Sequence, residues 1–76
     1  MAISSKSELK RSLTIAGHRT SLSLEPEFWE ALKQAAAADG KSLAALVGEI
    51  DAGRAGRNLS SAIRVWILAR TFPARV

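Results

Sequence analysis

The stretch His18-Arg19-Thr20-Ser21-Leu22-Ser23-Leu24, closed by Glu25-Pro26, decides how the chain is read. Arg19, Ser21 and Ser23 alternate with Thr20, Leu22 and Leu24, which is the period-two signature of a strand with one wet and one dry face. Everything after Pro26 reads as helix. A strand ahead of short helices finds no ladder partner in them, yet its backbone groups need one. The expected partner is a second copy of the same segment.

Upstream, residues 1 to 10 are polar and aperiodic, and a frayed arm is expected there. Ser12-Leu13-Thr14-Ile15-Ala16 then gives a second short alternation, with Leu13 and Ile15 on one side. The parity changes between Ile15 and Leu22, and Gly17 lies between them. Gly17 is either the turn of an intrachain hairpin or a bulge that lets one long strand swap faces. Gly17-His18-Arg19 lacks the Asn-Gly or Asp-Gly pair that most favours a tight hairpin.

Downstream, Pro26 suits the first turn of a helix, and Glu25, Glu27 and Glu30 suit the positive end of its dipole. This first helix is expected over about 26–38, with Phe28, Leu32 and Ala35 as its stripe, Ala31 and Ala36 beside them, and Trp29 packing at the margin. Asp39-Gly40 stops it. Ser42 caps a second helix over about 42–52, whose inner face is Leu43, Leu46, Val47 and Ile50 and whose interior carries a mild weakness at Gly48. A loop with two glycines and two arginines follows. Asn58 or Ser60 then caps a third helix over about 59–71, ended by Pro73, with Leu59, Ala62, Ile63, Trp66 and Ile67 inward. Val65, Leu68 and Phe72 lie off that stripe, an excess of apolar surface that an intersubunit contact would absorb.

Seventy-six residues make one small domain that gains much from dimerising. There is no cysteine, so no disulfide or thiolate chemistry, and with His18 as the single histidine no triad or histidine metal cluster can be built. No apolar run approaches the roughly 20 residues of a bilayer span, and the first residues lack a secretory h-region. A soluble, cytoplasmic non-enzyme without cofactor or metal is expected. The net charge of +4 is unevenly spread: residues 25 to 51 hold most of the acids, whereas residues 52 to 76 carry five arginines and no acid. Basic flanks suit a polyanion.

The strand Arg19 to Leu24, the helix opening Glu25-Pro26-Glu27-Phe28-Trp29-Glu30-Ala31-Leu32 and the turn Asp39-Gly40-Lys41-Ser42-Leu43 resemble, in this order, the ribbon-helix-helix family of MetJ/Arc type. Leu13 to Ser21 together with Asn58-Leu59-Ser60-Ser61-Ala62-Ile63-Arg64 is similar to a small bacterial subgroup of it. The resemblance covers about residues 11 to 70. It implies a mainly α fold with one short β-strand, an intertwined homodimer with an intermolecular antiparallel two-stranded ribbon, and here an additional C-terminal helix. It also implies a bacterial transcription regulator, such as a repressor, nucleoid-associated when bound to double-stranded DNA.

By position the resemblance assigns Arg19, Ser21 and Ser23 to base edges, and Lys41, Ser42 and Leu43 to a phosphate. It puts Leu22, Leu24, Phe28, Leu32, Leu46, Val47 and Ile50 in the dimer core, with room for a higher oligomer through the third helix. A protein-interaction or antitoxin-like module on the same scaffold, working through that helix with Trp66 and Phe72, is the alternative. The chain departs from the family's minimal pattern in that helix and in its upstream alternation: pairing of residues 13–16 with residues 20–24 within one chain would displace the intermolecular ribbon.

Overall fold

The computed structural model describes residues 8–72. Strand β1 (Leu9–Ile15) and strand β2 (His18–Leu24) form an antiparallel hairpin, followed by helices α1 (Pro26–Ala38), α2 (Leu43–Ala52) and α3 (Leu59–Thr71). The turn is Ala16-Gly17, with φ of 51° and 87°. Two successive left-handed residues make a mirror-image turn whose twist matches that of the strands it joins. Of the two roles open to Gly17, the structure realises the turn, and it also places Ala16 in a conformation that costs an L-residue about 1–2 kcal/mol.

The expectation of one short strand is thereby corrected to two: β2 is laddered to β1 of its own chain, from Ile15 opposite His18 to Leu9 opposite Leu24. The physical reason is proximity. A two-residue turn closes this pairing at little loop entropy, whereas a partner chain must be recruited from solution. Across such a turn an odd-numbered residue faces an even-numbered one, so the parity change between Ile15 and Leu22 is the mark of the hairpin. Leu9 and Lys10, expected in the frayed arm, are strand residues. The first seven residues of that arm lie outside the described residues, as does Pro73.

The dry side of the hairpin contributes Ile15, Leu22 and Leu24 to a core completed by Trp29, Leu32, Ala35 and Ala36 of α1, Leu46, Val47 and Ile50 of α2, and Ala62, Ile63 and Ile67 of α3. No polar or charged side chain is buried among the described residues. In α1 the stripe is rotated from the expected one: Trp29 is buried and Phe28 is only half-buried. The rotation follows the hairpin, because the Trp29 indole Nε1 donates to the Leu9 carbonyl at 2.9 Å and Arg11 lies over the ring at 5.1 Å. Gly48 has a packing role too. A Cβ there would stand 3.4 Å from Ile15 Cγ2, at the near limit of ordinary contact, so β1 packs closely on α2 at this point.

The helix starts follow local chemistry. The Ser42 hydroxyl accepts the amide hydrogen of Ala45 at 3.1 Å, and Asn58 Oδ1 accepts that of Ser61 at 2.8 Å. Asn58 is thus the cap of α3, and Ser60 does something else: its hydroxyl donates to the Ser23 carbonyl at 2.9 Å, fixing the end of β2 to α3. Two arginines of α3 complete the docking. Arg64 bonds both oxygens of Glu25, at 2.9 and 3.3 Å, and also reaches Glu8; Arg70 takes both oxygens of Asp39, at 2.8 and 3.1 Å.

Candidate nucleic-acid interface

Because opposed residues of an antiparallel pair share a face, the register sorts the hairpin into two combs. Leu9, Arg11, Leu13 and Ile15 lie with Leu24, Leu22, Thr20 and His18 on the helix side. Lys10, Ser12 and Thr14 lie with Ser23, Ser21 and Arg19 on the other. All six of this second set are exposed apart from Ser23, which is half-buried. The structure therefore brings Arg19, Ser21 and Ser23 together on one uncovered face, and adds three neighbours that sequence reasoning had passed over. The alternation Lys10-Arg11-Ser12-Leu13-Thr14-Ile15 carried the signal, but β1 becomes a candidate only once its partner is known.

This face holds two cations, four hydroxyls and no acid. The carboxylates nearest to it in sequence, Glu8 and Glu25, are both engaged by Arg64. The Arg64 hydrogen bond is the main cause that holds the Glu25 carboxyl below its ordinary pKa, and a backbone hydrogen bond adds to it. Elsewhere the cations are spent: Lys33 on Glu30, Lys41 on Glu49, Arg54 on Asp51 and Arg70 on Asp39. Lys10, Arg11, Arg19 and Arg57 are the described cations without a carboxylate partner, and all but Arg57 belong to the hairpin.

At the start of α2, the cap by Ser42 uses the amide of Ala45, and the first amides of a helix have no partner within it. Lys41 is turned away toward Glu49, its ammonium 2.6 Å from the carboxylate. Ser42 is exposed, and Lys41 and Leu43 are half-buried. Of the residues assigned to the core, Leu22, Leu24, Leu32, Leu46, Val47 and Ile50 are buried within one chain, and Phe28 packs at the edge with Arg64 over its ring at 5.9 Å. Among the described residues no group of three or more histidine, cysteine, aspartate or glutamate side chains is placed to hold a metal, and no helix is long and apolar enough to cross a membrane.

A two-stranded ribbon leading into α-helices is consistent with the family that the sequence resembles, and the comparison with family models agrees. The ribbon-helix-helix domain model matches residues 8–71. The chain belongs to the ribbon-helix-helix domain family, whose members are commonly DNA-binding transcription regulators, generally dimeric and typically not enzymes. No curated protein matches the chain, and no solved structure does.

Proposed function

We propose that the chain is a sequence-specific DNA-binding regulator of transcription that acts as a homodimer, each copy presenting the wet face of its ribbon to a major groove. The observation that carries this reading is the hairpin face itself: uncovered, free of acid, and on the element that holds Lys10, Arg11 and Arg19 without carboxylate partners. Arg19 can bond both acceptors of a guanine, while Ser21 and Ser23 donate or accept and so tolerate several bases. The amides at Ser42 and Leu43 seat a flanking phosphate at the positive end of α2, with Lys41 exchanging its Glu49 contact for the anion. Counterion release drives much of the affinity. The regulator is a repressor, an autoregulator or an antitoxin-like partner, acting in the cytoplasm.

Fluorescence anisotropy with labelled duplex tests it. Binding that weakens steeply with salt is expected, with Arg19→Ala losing about 1–3 kcal/mol against the preferred site. Absence of duplex affinity at low salt overturns the reading.

A second reading has its own observation. Val65, Leu68 and Phe72 are 44, 51 and 62 % exposed along one side of α3. Beside them an open groove of about 410 Å³ is lined by Ile50, Ala62, Val65 and Trp66, with Arg54 and Arg57. On this reading the third helix binds a protein partner, and Trp66→Ala abolishes capture of that partner while the fold is kept.

A further inference from the structure

We infer that the groove between α2 and α3, continued by the outer side of α3, is a docking surface for an acidic amphipathic helix of a partner protein. The inference rests on the second reading above, that the third helix binds a protein, and adds the chemistry of what binds there.

Shape supplies the first argument. Val65 and Leu68 lie three apart on α3 and Phe72, its C-cap, four further on, so the three share one side of the helix. Val65 also lines the groove with Ile50, Ala62 and Trp66, which makes groove and outer side one continuous apolar strip. From Val65 to Phe72 the strip runs seven residues, which is about 10 Å or two helical turns. An open strip of that length takes the i, i+3, i+4 and i+7 side chains of an amphipathic helix, whereas a small molecule is held by enclosure.

Charge decides the occupant. Arg54 and Arg57 stand on the rim of the groove, and Arg57 has no carboxylate partner among the described residues. Arg54 donates to Asp51 Oδ1 at 2.6 Å and to the Arg57 carbonyl at 2.9 Å, so the loop that carries both arginines is held in place. The carboxylate on this rim, Glu49, is taken by Lys41 at 2.6 Å. Along its whole length α3 carries no acid, and Arg70 lies over the Trp66 ring at 5.1 Å. A basic partner would set like charge against these cations. A second copy fits poorly for the same reason: α3 against α3 brings arginine to arginine, and Glu27, the described acid without a cation partner, lies on α1. Glutamates flanking an apolar stripe answer both features at once.

Fluorescence anisotropy of labelled synthetic helical peptides tests the inference on the full chain and on Arg57→Glu and Leu68→Ser, both at exposed positions, with circular dichroism as the check on folding. The probes share leucines at i, i+3, i+4 and i+7 and differ in carrying glutamate or lysine on their flanks. The glutamate peptide should bind the parent at least about tenfold tighter than the lysine peptide, and each variant should weaken it about tenfold. If the lysine peptide binds as tightly and is lost on Leu68→Ser, the acidic partner is wrong and the second reading stands. If no peptide depends on Leu68, both fall. Sedimentation of the parent covers the last case: a dimer that Leu68→Ser dissolves would mean that a second copy covers this side of α3, and the inference fails.

Discussion

Ala16 carries the least favourable backbone conformation of the hairpin. With φ at 51° it occupies a position where asparagine or glycine is at ease, and the fold accepts the strain because the turn must twist with its strands. Ala16→Gly or Ala16→Asn should raise thermal stability by about 0.5–1 kcal/mol, and Gly17→Ala, at φ 87°, should lower it by about 1 kcal/mol. Melting curves of the three variants decide this; an Ala16→Asn variant that melts below the parent would contradict the turn. The same residue explains what the sequence hid. Alanine announces helix and not a left-handed turn, so the one feature that would have declared the hairpin was chemically silent, although the parity change across Gly17 was in plain view. Trp29 was misplaced for a related reason: its indole partner is a carbonyl twenty residues earlier, on a strand that local reasoning had not paired.

At the scale of elements, the helix starts were legible because each is written locally: Pro26 in the first turn of α1, Ser42 ahead of α2, and Asn58 ahead of α3. The ties between elements were not, since Arg64 and Glu25 are 39 residues apart and Arg70 and Asp39 are 31 apart. These pairs have a pH signature. Hydrogen bonds from Arg64 and from Arg70 are the leading causes that depress the Glu25 and Asp39 carboxyls. A depressed carboxyl binds its proton less readily folded than unfolded, so its contribution is whole above the unfolded pKa of about 4 and is lost as pH falls through the lower folded value. Melting temperature should hold on acidification toward pH of about 4 and drop below it, and Arg70→Met should flatten that drop. An unchanged acid limb in Arg70→Met would show that the pair contributes nothing. Arg64→Met, which strips the partner from Glu8 and Glu25 at the base of the hairpin, should also weaken duplex binding at low salt.

For the molecule as a whole, the linear charge pattern marks both ends as basic, residues 1 to 24 with Lys6, Lys10, Arg11 and Arg19 against Glu8, and residues 52 to 76 with five arginines and no acid. The acid-free stretch from residue 52 onward reads as a basic flank, yet folding spends Arg54, Arg64 and Arg70 on acids drawn from earlier segments. Among the described residues, what remains positive without a carboxylate partner is mostly the hairpin, which the basic first flank and the alternation of Arg19, Ser21 and Ser23 had both marked. The fold class was legible from order and periodicity; which chain supplies the second strand was not, because edge pairing with oneself and with a copy satisfy the same backbone groups.

The central claim is that the wet face of the hairpin meets the duplex, and an NMR titration of the labelled full chain with duplex tests it most directly. The account predicts shifts concentrated on Lys10, Ser12, Thr14, Arg19, Ser21 and Ser23, with Val65, Leu68 and Phe72 unmoved. Shifts confined to α3, with the hairpin resonances standing still, would contradict it.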